Sequence, residues 1–299
     1  MQAAALKAQQ WDAVRRIALG MMTYLDFRGY SVNRITVIQA GLSAVRALGD
    51  LHEEGKFLSY LGLAYADQGE NRRAIDLYEQ QLVLARKIGD RLGESTALGN
   101  LGSAYADFGE TWRAVELYEQ RLVIAREIGD RSGEGNALGS LGAAYENLGE
   151  TRRAMVYHEQ YLAIAREIGD RRGEGNALGN LGNAFYVLGE TRRAIDLYEQ
   201  QLVIVQEIGD RRGESSALNN LGNGYYALDE THRALALYEQ QRAIVEEIGD
   251  RRGLGNALGN LGNTYATLGD AHRAIALYEQ AINVLHATGD RRGEGITLG

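Results

Sequence analysis

The chain has 299 residues, no cysteine, no proline and 38 glycines, and its 40 acidic and 32 basic side chains leave a net charge of −8. The lack of cysteine excludes disulfides and thiolate metal sites. The acidic balance, with both signs mixed along the chain, argues against nucleic acid as a partner, because phosphate recognition needs a basic face.

The N-terminus shows no charged start followed by an apolar run, and no stretch approaches membrane-spanning length. A soluble cytoplasmic protein with no membrane partner is therefore expected. Residues 1–10, MQAAALKAQQ, are strong helix formers. They lead into Trp11, Val14, Ile17, Ala18, Met21 and Leu25, which recur at helical spacing. Aligned by forties, 11–50 falls into register with the chain from Leu51 onward: Gly29 takes a mid-repeat glycine, and Ala47-Leu48-Gly49-Asp50 takes the closing turn. Residues 1–50 are read as a divergent N-terminal helical repeat or cap.

From Leu51 one forty-residue sentence returns without insertion or deletion: 51–90, 91–130, 131–170, 171–210, 211–250 and 251–290. A fixed period of this length marks a solenoid with one continuous core. Residues 291–299 begin a further copy. Helix B of the last full copy carries Ala274, Ile275, Leu277, Ala281, Ile282 and Val284 toward that incomplete neighbour. Self-association through this end, or a longer array, is the expectation.

Within a repeat, numbered here from 1 to 40, the copy at 171–210 is the clearest. Ala177, Leu178, Leu181, Ala184, Phe185 and Leu188 form the apolar stripe of helix A, which Gly189 should stop with a left-handed turn. Thr191 is the expected N-cap of helix B. That helix carries Ala194, Ile195, Leu197, Tyr198, Leu202, Ile204, Val205 and Ile208. Gly209 stops it, and Asp210 caps the next helix A. The predicted fold is all-α, an α-solenoid of helical hairpins with no strand.

Leu-Gly-x-x-Tyr in helix A (Leu101, Gly102, Tyr105; Leu261, Gly262, Tyr265) is followed by Ala and Tyr in helix B (Ala114, Tyr118; Ala274, Tyr278). This pattern resembles the tetratricopeptide repeat. The forty-residue form is similar to the repeats of kinesin light chain and of Leu-Gly-Asn polarity adaptors. It is also similar to bacterial arrays attached to signalling nucleotide-binding domains. The usual period is 34, and the usual proline is missing. Gln81, Arg121, Tyr161, Gln201 and Gln241 stand where the family has alanine, and only Ala281 conforms. The resemblance implies a right-handed superhelix whose A helices line a concave groove.

On a helical wheel, positions 8, 11, 15 and 18 of helix A face the core, and 6, 10, 13 and 17 face away. The outer stripe holds Asn136, then Asn176, Asn180 and Asn183, then Asn220 and Asn223, then Asn256, Asn260 and Asn263. Asparagine is a poor helix former, so a merely wet face has no reason to repeat it. Its carboxamide both donates and accepts, as a peptide main chain requires. The resemblance implies that Asn183, Asn223 and Asn263, the asparagines of the Leu-Gly-Asn motif, hold bound peptide backbone. Leu63, Ser103 and Ala143 replace them in earlier copies. Tyr186 and Tyr226 flank the stripe as candidate contact residues. Tyr65, Tyr105, Tyr145, Tyr225 and Tyr265 belong to the core face.

Beside the stripe runs a glycine seam, for example Gly175, Gly179 and Gly182. Each helical glycine costs about 1 kcal/mol relative to alanine. Gly142, Gly182 and Gly262 are read as packing glycines. Gly139, Gly179 and Gly259 could serve packing or leave room for a ligand. Arginines at both turns, among them Arg171, Arg172, Arg192 and Arg193, read as partners of neighbouring Glu and Asp.

Catalytic patterns are missing. Gly55-Lys56 is followed by Phe57 and makes no P-loop. GEGNALG at 173–179 sits inside a helix with no preceding strand. The five histidines make no ligand pair. The sequence therefore reads as a non-catalytic module without cofactor or metal, binding a peptide or protein segment in its groove. A sensor segment of a larger bacterial signalling ATPase and a structural or self-associating scaffold are the alternatives.

Overall fold

The computed structural model describes residues 2–28 and 31–288, with side chains for 7, 9–21 and 34–286. Gly29 and residues 289–299, including the start of the further repeat, lie outside the described residues. The chain divides into two compact units, Met1–Gly149 and Glu150–Gly299. The first holds α1 (Gln2–Arg28), α2 (Ser31–Leu48), α3 (Leu51–Ala66), α4 (Asn71–Ile88), α5 (Arg91–Asp107), α6 (Thr111–Ile128) and α7 (Arg131–Asn147). The second holds α8 (Thr151–Ile168), α9 (Arg171–Val187), α10 (Thr191–Glu207), α11 (Arg211–Ala227), α12 (Thr231–Glu247), α13 (Arg251–Thr267) and α14 (Ala271–Thr288). No strand occurs among the described residues. In each unit consecutive helices pack on one another, which is an all-α solenoid of helical hairpins.

The turns follow from single residues. Asp170 ends one repeat and caps the next, its Oδ1 accepting from the Gly173 N–H at 2.9 Å; Asp90, Asp130, Asp210 and Asp250 do the same. Such a cap is worth about 1 kcal/mol. Helix B starts differently from expectation. Thr191 is its first residue, the N-cap is Glu190, and no side chain caps it. The Glu190 carboxylate instead accepts from Arg193 at 2.6 Å. Gly189 has φ +79°, and in the following repeat Asp229 takes the same turn at φ +60°. Aspartate is one of the few residues that enters this region at modest cost.

The hairpins close on one contact. The helix B tyrosine at position 28 lies against the helix A glycine at position 12, where a Cβ would sit about 2.4 Å from the ring: Gly62 under Tyr78, Gly102 under Tyr118, Gly182 under Tyr198 and Gly222 under Tyr238. Around it, Leu178, Leu181, Ala184 and Ala194 are buried. Position 18 departs from the wheel. Phe108, Leu188 and Leu268 are exposed, because helix A ends at position 17 and these residues form its C-cap. The last hairpin is also better packed than its sequence suggests. Ala274, Leu277 and Ala281 are buried with Tyr238, Leu258 and Leu261, Ile282 and Val284 are partly covered, and Ile275 alone of the six is open, at 57% exposure.

One edge of each unit carries a repeated ionic chain. Glu94 accepts from Arg86 at 2.8 Å and from Arg91 at 2.6 Å, and Arg91 also bonds Glu127. Glu174 is held by Arg166 and Arg171, and Arg171 reaches Glu207. At Glu214 the first donor is Gln206. At the other turn, Arg113 lies 4.1 Å from the Tyr105 ring centroid and Arg233 5.3 Å from that of Tyr225, which accounts for these position-15 aromatics as packing partners. Burial alone would raise the Glu94, Glu134 and Glu174 carboxyls, but their paired arginine hydrogen bonds outweigh it and hold all three below the usual 4.5. A depressed carboxyl contributes stability that is complete above the unfolded value and lost as pH falls through the folded one. The melting temperature is expected to hold steady above the carboxylate range and to fall below it. Glu94→Gln should melt lower at neutral pH and change less on acidification. An unchanged acid slope in Glu94→Gln would exclude this carboxyl as a contributor.

Candidate functional site

The A helices of successive repeats touch: α3 meets α5 and α5 meets α7 in the first unit, and α9 meets α11 and α11 meets α13 in the second. No such contact joins successive B helices among the described residues. Side chains of the A helices therefore line the inner side of each unit, and the outer stripe of those helices is its floor.

Asn136, Asn176, Asn183, Asn256 and Asn263 are exposed on that stripe, and Asn180, Asn220, Asn223 and Asn260 are half-buried. In the second unit several are joined. Asn260 donates to Asn219 at 2.9 Å, Asn219 to Asn220 at 3.3 Å, and Asn220 to Asn183 at 3.2 Å. The motif asparagines have a structural duty as well. Tyr198 donates to Asn183 Oδ1 at 2.8 Å, Tyr238 to Asn223 Oδ1 at 2.7 Å and Tyr278 to Asn263 Oδ1 at 2.7 Å. Their carboxamide oxygens thus anchor the tyrosines that fill the hairpins, and each keeps an NH2 group on the floor. Burial raises the Tyr161 hydroxyl, with the nearby Asp170 adding to the effect and Asn176 opposing it.

In the first unit Ser103 takes the place of the motif asparagine, and it and Ser140 stand near the Tyr118 hydroxyl. Asn100 donates to Ser59 at 3.0 Å. Tyr186 is 37% exposed, and Tyr226 is half-buried with its hydroxyl 2.7 Å from Thr267 Oγ1. Burial raises the Tyr238 hydroxyl well above its ordinary value, and nearby Tyr186 and Tyr226 add to the effect. Tyr186 and Tyr226 therefore stand near the hydroxyl of the buried Tyr238.

Sequence reasoning missed Asn219 and the bond by which the helix B tyrosines are tied to the motif asparagines. Tyrosine at position 28 gave no signal of this, since Tyr78 and Tyr118 stand there in copies that carry Leu63 and Ser103 in place of the asparagine. The seam glycines also separate. A Cβ on Gly179 would lie 2.5 Å from Gln201 Nε2, and one on Gly99 2.7 Å from Arg121, so long helix B side chains cover both. Gly259 faces Ala281 instead and has open space, with nothing within 4 Å. Among the described residues no three His, Asp or Glu side chains gather as metal ligands. No described helix is long and apolar enough to cross a membrane.

These features define a helical-repeat interaction scaffold. The tetratricopeptide repeat profile matches residues 53–127, 173–245 and 213–286, and a second profile of the same repeat matches 137–172. With more than half its length matched, the chain belongs to the tetratricopeptide repeat family. No curated relative matches significantly. Among solved structures it is similar to BtubC (BKLC) from P. vanneervenii, at 24% identity over 73% of this chain and 92% of that one, with a TM-score of 0.66. It is similar to the apo form of RapI, at 14% identity over 95% and 99%, with a TM-score of 0.72. It is also similar to a signal transduction ATPase with a tetratricopeptide repeat sensor from Pyrococcus horikoshii, at 19% identity over 97% of this chain and 46% of that one, with a TM-score of 0.69. These likenesses show the fold. Tetratricopeptide repeats are typically non-catalytic protein-interaction modules.

Proposed function

We propose that the chain is a non-catalytic module that binds an extended peptide or protein segment along the floor of its A helices. The observation that carries this reading is the spare NH2 of Asn183, Asn223 and Asn263. Their oxygens are engaged by tyrosine hydroxyls, so these side chains meet a ligand as donors, suited to its backbone carbonyls. Tyr186 and Tyr226 supply aromatic surface beside them, and Asn136, Asn176, Asn180, Asn220, Asn256 and Asn260 extend the polar floor. A Rap protein of this fold has been solved in complex with competence and sporulation factor, which supports a binding role for the array. As part of a larger signalling ATPase the same floor would act as a sensor, a reading favoured by the likeness to the Pyrococcus protein.

The test is to pan displayed random linear peptides against the chain and measure the recovered peptides on the triple variant Asn183→Asp, Asn223→Asp and Asn263→Asp. Aspartate keeps the acceptor for tyrosine and removes the donor. A loss of at least 100-fold with the fold intact is expected. Undiminished binding would sink the asparagine reading.

A further inference from the structure

Among the six full copies, position 31 carries a charge only at Arg121; the others have Gln81, Tyr161, Gln201, Gln241 and Ala281 there. The Arg121 side chain is half-buried on α6 and reaches α5, with Nη1 2.7 Å from where a Cβ on Gly99 would stand. Arg86, Arg91, Arg113 and Arg126 of the same unit each pair with a glutamate. Arg121 has no ion pair or hydrogen bond among the described residues. Of its three nitrogens only Nε is sealed from solvent, so the terminal pair keeps its donors within reach of the surface. We propose that Arg121, with the hydroxyls of Ser103 and Ser140, binds a ligand carboxylate on the floor of the first unit, between α5 and α7. This inference does not rest on the asparagine reading, since Asn183, Asn223 and Asn263 belong to the second unit.

The register of the A helices brings these groups together. Asn100 donates to Ser59 at 3.0 Å and Asn260 to Asn219 at 2.9 Å, so position 10 of one helix A meets position 9 of the helix A before it. In that register Ser140 of α7 stands opposite Gly99 of α5, where the guanidinium lies. Ser103 and Ser140 also stand near the hydroxyl of Tyr118, which is one turn along α6 from Arg121. Position 10 is asparagine or tyrosine in every other full copy, and position 13 is leucine, alanine or asparagine. The two serines and the one charge at position 31 thus fall at the same junction, and the serines leave the guanidinium ends uncovered.

Chemistry sets the ligand class. A guanidinium presents parallel N–H bonds that match the two oxygens of a carboxylate, and serine hydroxyls add further donors. A cation held partly out of water without a partner is costly, and an anion recovers that cost. The chain's own carboxylates do not supply it. Asp130 is near enough to favour the charged form of Arg121, against burial, but its Oδ1 accepts from the Gly133 N–H at 2.8 Å and it makes no ion pair with the arginine. Asp107 acts on Tyr118 in the same neighbourhood. One cation with two carboxylates close by suits a monoanion better than a phosphate dianion, whose second charge would meet only repulsion.

The test titrates the isotope-labelled full chain with propionate, with propionamide as its neutral counterpart and with inorganic phosphate, followed by NMR. Propionate should bind saturably, shift the amide resonances of Gly99, Ser103 and Ser140, and bind at least tenfold more tightly than propionamide. Arg121→Gln introduces the residue type that three other copies carry at this position, so the fold should hold with its melting temperature kept or raised. It should weaken propionate at least tenfold. Arg121→Lys keeps the charge and loses the fork, so it should retain part of the binding. The triple asparagine-to-aspartate variant should bind propionate as wild type does, and a tenfold loss there would overturn the assignment to this junction. Equal binding of propionamide, tighter binding of phosphate than of propionate, or undiminished binding in Arg121→Gln would each overturn the proposal. N-acetylglutamate α-amide distinguishes the source. Binding at least as tight as that of propionate assigns an acidic side chain of a partner polypeptide, and binding of propionate alone assigns a small molecule.

Discussion

Gly222→Ala is expected to destabilise its unit by about 2 kcal/mol. The new Cβ would stand 2.4 Å from Cε1 of Tyr238, a ring that is 2% exposed. Overpacking of a closed core costs about 1–3 kcal/mol. Displacing the ring also strains the Tyr238–Asn223 hydrogen bond of 2.7 Å, worth about 1 kcal/mol. Better helix propensity returns about 1 kcal/mol. At 2–4 °C per kcal/mol for a domain of this size, thermal unfolding should begin about 4–8 °C lower. Gly259→Ala is the matched control. It lies in the same seam, with nothing within 4 Å, and should gain about 0.5–1 kcal/mol. Calorimetry on the two variants decides the matter, since equal effects would mean that the tyrosine contact does not set the hairpin geometry.

Removing the three motif asparagines should have two separable results. From sequence alone, replacing Asn183, Asn223 and Asn263 with alanine looks harmless to the fold, since they sit on the outer stripe. The structure corrects that view, because each oxygen receives a tyrosine hydroxyl at 2.7–2.8 Å. Alanine forfeits three bonds of about 1 kcal/mol each. It recovers roughly a third to a half of that through helix propensity, leaving a net loss near 2 kcal/mol. Aspartate retains the acceptor and strengthens it by charge, so the melting temperature should barely move. Both variants should lose peptide binding by at least 100-fold. Differential scanning calorimetry beside a peptide titration reads both outcomes. Equal melting of the alanine and aspartate variants would show that the tyrosine bonds carry no stability.

The period, the helix pair and both glycine turns are legible in the sequence because they depend on local signals repeated many times. Asp210 can be read as a cap from its place after Gly209, and it is one. Thr191 looks equally suitable and is not, because the tight turn at Gly189 places Glu190 at the N-cap. The asparagine stripe is visible on a wheel, but the tyrosine beneath it is not, since a wheel shows one helix and the bond crosses to another. A cavity beside Gln81 is harder still. It is walled by Tyr60 and Leu92, two departures from the other copies that look like noise until α3, α4 and α5 are brought together.

The polar contacts keep a constant offset along the chain. Arg86 to Glu94, Arg126 to Glu134 and Arg166 to Glu174 each span eight residues, and Tyr198 to Asn183, Tyr238 to Asn223 and Tyr278 to Asn263 each span fifteen. Each partner is supplied by the same repeat or an adjacent one. Excision of residues 211–250 would bring Asp210 to Gly253 as it now stands to Gly213, and would leave Asn183 and Asn263 with their own tyrosines. An array built this way can gain or lose a whole forty-residue period with most of its polar bonding already matched in the product. Length in such an array is therefore a property that the bonding leaves free, and the reach of the floor scales with the number of periods.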